Sequence, residues 1–240
     1  MKKQTPLVIG HRGAMGEAPE NTLKSFELAL KQGADGIELD VFLSKDGEVV
    51  VTHDEHLKRL TGHNLKTRQS TLKELKNLDF GQGEKIPTLK EVLDLFGQKF
   101  SVINIEIKST GLFTDGIEKK VAAIISDFGL VDRVLVSSFN LLNLIRLSKI
   151  SCQIPRGYLS SVENWYIPPA LGVPLCRASS VNMNFQAINP EIIHYYGQQK
   201  KQIWVWTVNS QKDMAFWAAQ PVSAIITNYP GRLRKLISRG

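Results

Sequence analysis

Cysteine is scarce in this chain of 240 residues: Cys152 and Cys176 are the only two. They form no CxxC pair, and both read as free structural thiols rather than a disulfide. No apolar run approaches the roughly 18–20 residues that span a bilayer. Met1 to Pro6 leads directly into Leu7-Val8-Ile9-Gly10, which leaves no room for a signal peptide's apolar core and cleavage site. The expected location is therefore cytoplasmic. No GxGxxG or Walker-type glycine loop follows the first apolar strand, which counts against an open doubly wound nucleotide-binding sheet. The formal charge is +7 and the pI about 9.4, yet no run of five or more basic residues occurs and aromatics do not interleave with them. Scattered basic residues read as solvated helix faces, with an attraction for phosphate-bearing small molecules or anionic lipid and no nucleic-acid surface.

What the chain does hold is an ordinary globular composition, 42% hydrophobic and 22% charged, and one unusual stretch, Gly36-Ile37-Glu38-Leu39-Asp40-Val41. Alternate strand residues share a face, so Glu38 and Asp40 lie together opposite Ile37, Leu39 and Val41. A solvated edge strand tolerates this pattern. A strand covered on both faces does not, unless a cation holds the carboxylates.

Strand and helix patterns alternate along the sequence. Strands are expected at Leu7–His11, Ile37–Leu43, Ser101–Lys108, Arg133–Ser138, Pro155–Leu159, Ser179–Met183, Gln202–Thr207 and Ala224–Thr227. Helical periodicity marks Asn21–Gln32, Thr71–Asn77, Thr88–Phe96, Thr114–Phe128, Asn140–Lys149, Pro190–Gln198, Gln211–Ala219 and Pro230–Ser238. Ser44-Lys45-Asp46-Gly47 is a turn, and Glu48–Thr52 returns as a hairpin arm. Asp54 to Gln69 reads as irregular, and Trp165 to Pro174 as a proline-rich segment without a helix. Eight strands in βα alternation argue for an α/β fold, a (β/α)₈ TIM barrel in one domain over 1–240, with 47–87 as a small insertion between the second strand and its helix.

Barrels of this kind carry their sites at the C-terminal ends of the strands. There the sequence places His11 and Arg12, then Glu38 and Asp40, His53 after the hairpin arm, Glu106 and Lys108 between isoleucines, Phe139, and Trp206. Neighbouring strands lie about 4.8 Å apart, so Glu38, Asp40 and Glu106 can converge. Three carboxylates without cysteine or clustered histidine are hard oxygen ligands, suited to one divalent cation, Mg²⁺ or Ca²⁺. With that cation, Arg12 and Lys108 leave a surplus of one positive charge, which a phosphodiester anion neutralises. His11 and His53 are then free to move protons.

Taken in order, the motifs resemble those of the glycerophosphodiester phosphodiesterase family, within the phosphatidylinositol-phospholipase-C-like barrels. They are His11-Arg12-Gly13 with Pro19-Glu20-Asn21-Thr22; Glu38-Leu39-Asp40-Val41, Lys45-Asp46-Gly47 and Val51-Thr52-His53-Asp54; Ile86-Pro87-Thr88-Leu89 and Asn104-Ile105-Glu106-Ile107-Lys108; then Ser138-Phe139 and Trp206-Thr207-Val208-Asn209. The resemblance runs nearly end to end. It implies metal-dependent hydrolysis of glycerophosphodiesters to glycerol 3-phosphate and an alcohol. It assigns Glu38, Asp40 and Glu106 to the metal, His11 and His53 to acid–base work, and Arg12 and Lys108 to phosphate. A glycerol hydroxyl or a water attacks in line, and which histidine is acid and which base stays open. Glu20 and Asn21 are expected to fix the first loop and contact the site, and the insertion to cover the glycerol side.

The family usually closes on Thr-Asp-x-Pro, whereas this chain has Thr227-Asn228-Tyr229-Pro230. Position 228 is expected to be structural and to touch none of the seven residues above. Asp54 reads as an orienting or loop-fixing residue; its pair with His53 follows a strand, unlike that of the all-helical HD phosphohydrolases. His56, His63 and His194 read as loop histidines. Trp206 suits barrel packing and a pocket wall equally, and Trp165 with Tyr166 suits a packed loop better than an apolar lip in weak contact with a membrane. The alternatives are a lysophospholipase D-type phosphodiesterase acting on lysophospholipids at a membrane surface and a non-catalytic binding barrel. The alcohol and the oligomeric state are left open.

Overall fold

The structure is a computed structural model and describes residues 5–109, 114–161 and 167–238. Eight parallel strands close into a barrel: β1 (Leu7–His11), β2 (Gly36–Leu43), β4 (Val102–Ile107), β5 (Val134–Ser138), β6 (Arg156–Ser160), β7 (Ser180–Asn184), β8 (Gln202–Trp206) and β9 (Ala224–Thr227). β1 pairs with both β2 and β9, and this double pairing seals the ring. The hairpin arm β3 (Val49–Val51) runs antiparallel to β2 on the outside.

Between them lie the helices α1 (Leu23–Lys31), α2 (Lys58–Thr61), α3 (Leu72–Asn77), α4 (Leu89–Phe96), α5 (Ile117–Asp127), α6 (Leu141–Ile150), α7 (Pro169–Leu175), α8 (Pro190–Gln198), α9 (Gln211–Ala218) and α10 (Pro230–Ile237). Two of them correct the sequence reading. α7 forms within the segment expected to lack a helix: Pro169 sits in the first turn, where no backbone donor is needed, and Pro174 falls near the end of a short helix. α2 breaks the stretch expected to be irregular. Trp165 and Tyr166 lie outside the described residues. Among the described residues, no helix is long and apolar enough to cross a membrane.

Strand alternation divides the core in two. Ile37, Leu39, Val41, Ile103, Ile105 and Ile107 face outward and pack with Phe26, Leu89 and Val92 of the helices. Inside the barrel, Leu7, Ile9, Val102, Leu135, Trp204, Ala224 and Ile226 form a separate apolar cluster. The polar residues of the same strands stand above it, at the C-terminal mouth.

Candidate active site

The β2–β4 register sets Glu38 opposite Asn104 and Asp40 opposite Glu106. All three carboxylates are buried, and one oxygen from each lies within 4.8 Å of the others. Lys108, just past β4, places Nζ 2.7 Å from Glu106 Oε1 and 3.1 Å from Asp40 Oδ1. Arg12 Nε stands 3.3 Å from Asp40 Oδ2. Burial would raise the Asp40 carboxyl, but Lys108 and Arg12 outweigh it and hold the group below the usual range. Glu38 has no such cation of its own. It accepts the Arg12 backbone N–H at 3.0 Å and faces His11 Nε2 at 4.0 Å. Burial, joined by the charges of Asp40 and Glu106, pushes it well above the usual carboxyl range. Burial also raises Glu106, with Lys108 opposing and Asp40 adding.

The loop after β1 delivers Arg12 through left-handed backbone: φ is 50° at Arg12 and 81° at Gly13. A side chain at Gly13 would collide with Ser25, since its Cβ would sit 2.1 Å from Ser25 Oγ. Ser25 Oγ also donates to the Arg12 carbonyl at 2.6 Å, so α1 anchors the turn directly. Glu20 and Asn21, from the first loop, reach the site residues. Glu20 Oε1 accepts from Arg12 Nη1 at 2.8 Å, and Asn21 Nδ2 donates to Asp40 Oδ2 at 2.9 Å.

His11 lies opposite Glu38 in the strand register. Its Nδ1 is 2.7 Å from Asn228 Oδ1. Asn228 therefore does touch one of the seven, and the expectation that it would not is corrected. The turn after β9 folds back on β1, with Gly16 N–H donating to the Asn228 carbonyl at 3.0 Å. A carbonyl oxygen only accepts, so His11 carries its proton on Nδ1 and leaves Nε2 to the cavity side. Burial and then the charge of Arg12 lower this imidazole to about 4. His53 Nδ1 stands 2.7 Å from Asp54 Oδ1, within hydrogen-bond distance. Burial lowers His53 as well; Asp40 opposes, and Lys108 and Arg12 reinforce it.

His11, Arg12, Glu38, His53, Glu106 and Lys108 line one cavity of about 160 Å³. Its opposite wall carries Phe139 and Trp206, packed edge to face at 5.7 Å. All eleven residues singled out from the sequence thus gather at one mouth, nine of them on the cavity or its carboxylates and Glu20 and Asn21 supporting from the first loop. Arg12 and Lys108 are engaged with carboxylates, so their charges already balance much of the acidic cluster. The chemistry of the donor set fits a hard divalent cation: three buried carboxylates whose oxygens converge, with Glu38 pushed well above the usual carboxyl range by burial and by its two acidic neighbours.

The contacts of three residues lay beyond the sequence reading. Asn228 was marked only as a departure, without its partner. Arg59 donates to Glu20 and Asp54, and Arg68 donates from Nη2 to the Lys108 carbonyl at 3.0 Å. No local pattern signals either arginine, because each partner belongs to a different loop.

The model of the glycerophosphoryl diester phosphodiesterase family matches residues 11–232. The chain is 38% identical to the glycerophosphodiester phosphodiesterase of Caldanaerobacter subterraneus subsp. tengcongensis, over 98% of both chains. It is similar to the solved glycerophosphodiester phosphodiesterase of Thermotoga maritima, with TM-score 0.80 and 33% identity over 97% of this chain and 99% of that one. It is also similar to an Oleispira antarctica phosphodiesterase solved in complex with the product sn-glycerol-3-phosphate, with TM-score 0.85 and 29% identity over 98% of this chain and 97% of that one. By its matched span, its motifs and its barrel, the chain belongs to the glycerophosphoryl diester phosphodiesterase family.

Proposed function

We propose that the protein hydrolyses glycerophosphodiesters to glycerol 3-phosphate and an alcohol, using one divalent cation and the histidine pair. The observation that carries this reading is the meeting of three buried carboxylates, two histidines and two cations at one barrel mouth. Glu38, Asp40 and Glu106 would hold the cation, Mg²⁺ or Ca²⁺, which supplies Lewis-acid polarisation of a phosphoryl oxygen. Arg12 and Lys108 then turn part of their charge toward the phosphate, Arg12 with a planar fork and Lys108 as a point charge. His11 and His53, each fixed through Nδ1, present Nε2 as the atom that takes or gives a proton. Phe139 and Trp206 supply an apolar part of the cavity lining. The Oleispira relative's product, sn-glycerol-3-phosphate, supports the substrate class.

The test is release of glycerol 3-phosphate from glycerophosphocholine, with Mg²⁺ and Ca²⁺ run in parallel and lysophosphatidylcholine beside it. Turnover should require the added metal and stop with chelator. Undiminished turnover in Glu106→Ala would overturn the metal assignment, and preference for lysophosphatidylcholine would shift the substrate to lysophospholipids.

A further inference from the structure

Arg59 sits on α2, outside the barrel and outside every motif described above. It is rooted there: Leu57 is fully buried among Phe42, Val50, Leu75 and Ile86. Leu57 N–H donates to the Leu65 carbonyl at 2.9 Å, and Thr67 N–H to the Glu55 carbonyl at 2.8 Å. The guanidinium reaches back over the mouth. Nη1 and Nη2 fork onto Glu20 Oε2 and Oε1 at 2.9 and 2.8 Å, and Nε donates to Asp54 Oδ2 at 2.7 Å.

Each of those carboxylates is shared with a site residue. Glu20 Oε1 also accepts from Arg12 Nη1 at 2.8 Å, and Asp54 Oδ1 faces His53 Nδ1 at 2.7 Å. Glu20 lies largely covered beneath the fork, its side chain only 10% exposed, while Arg59 itself is 53% exposed. A half-exposed ion pair adds little to stability by itself. A planar fork that fixes two carboxylates at once adds geometry, and geometry is what the site needs: displacement of a reacting group by about 1 Å can cost on the order of a hundredfold in rate.

We infer that Arg59 is a positioning residue that ties Arg12 and His53 into one arrangement, acting through Glu20 on the first and through Asp54 on the second. The inference rests on the phosphodiesterase reading for its kinetic consequences, and on geometry alone for its structural ones. The outer segment between β3 and α4 thereby sets the relative placement of the phosphate-facing cation and one of the two histidines.

The experiment is a kinetic cycle with a spectroscopic arm. Arg59→Ala should keep the near-UV circular dichroism of the wild type and lower kcat/KM by about tenfold or more. Glu20→Gln should act mainly on KM and Asp54→Asn mainly on kcat. In the Glu20→Gln/Asp54→Asn background, Arg59→Ala should add less than twofold. Arg59→Lys keeps the charge without the fork and should fall between wild type and Arg59→Ala. The downfield Nδ1 proton of His53, assigned by its loss in His53→Gln, should broaden or vanish in Arg59→Ala. An Arg59→Ala enzyme within twofold of wild type, a loss undiminished in the double background, or an unchanged His53 proton would overturn the inference. The proton signal needs no turnover, so an enzyme inactive on every glycerophosphodiester would sink the functional reading and leave this one readable.

Discussion

Two storeys of the barrel bore differ by only two residues along the same strands. On β1 the step is from Ile9 to His11, on β8 from Trp204 to Trp206, and on β5 from Leu135 to Ser137. The lower storey is a dry plug in which Ile9 and Trp204 are essentially inaccessible. The upper storey is just as hidden around Glu38 and Asp40, yet it is charged. Identical strand geometry thus supports opposite chemistry. The plug stabilises through removal of apolar surface from water, whereas the mouth crowds like charges that only Lys108, Arg12 and a divalent cation would balance.

The contrast can be broken from either side. His53→Ala should lower kcat on glycerophosphocholine by about 10²–10⁴-fold while urea melts stay near the wild type; comparable kinetics would remove His53 from the chemistry. Trp204→Ala should cost about 3–5 kcal/mol of unfolding free energy, with the folded fraction keeping its turnover; lost turnover at unchanged stability would mean that the plug belongs to the site. Glu38→Gln should do the reverse of Trp204→Ala. Removing one of three crowded carboxylates should raise the melting point of the metal-free protein by about 2–4 °C, which is near 1 kcal/mol for a chain of this size, and abolish the response to added metal. A lower melting point would show that Glu38 is held by more than burial and repulsion.

The smallest effect concerns acid stability outside the bore. Burial opposes ionisation of Glu20 and Asp54, but Arg59, with Arg12 on the first and His53 on the second, lowers both carboxyls below their usual range. A depressed carboxyl contributes stability above its unfolded value, about 4.3 for Glu and 3.9 for Asp, and loses it as pH falls through the folded value. The difference in unfolding free energy between wild type and Arg59→Ala should therefore be flat above about pH 5 and shrink below it. Solvent exposure keeps it under about 1 kcal/mol. A difference that grows in acid would contradict the ion-pair account.

Period-two alternation made the carboxylates legible: Glu38, Asp40 and Glu106 each sit between aliphatics, and the strand geometry alone puts them on one face. The barrel followed from the same strands, and β3 from the valines after the Gly47 turn. The two arginines on the outer segment were not legible, because Glu20 and Arg59 meet across 39 residues and Arg68 reaches Lys108 across 40. Asn228 was visible as a departure, but its bond to His11 depends on ring closure, which no local pattern encodes. α7 was hidden by its prolines, whose effect depends on where in the helix they fall.

That closure also bears on when the enzyme can work. Of the barrel strands, β1 is made first, yet it cannot be fully paired until β9 exists, since β9 is one of its two neighbours. The hydrogen bond between His11 and Asn228 spans 217 residues. A nascent chain that has completed β2 and β4 already owns all three carboxylates, yet it lacks the partner that orients its first histidine. Contacts of such long range are made late and slowly. The centre is therefore completed only once β9 and Asn228 have been made, and a chain stalled before Ala224 would carry the acidic cluster without the hydrogen-bond partner of His11.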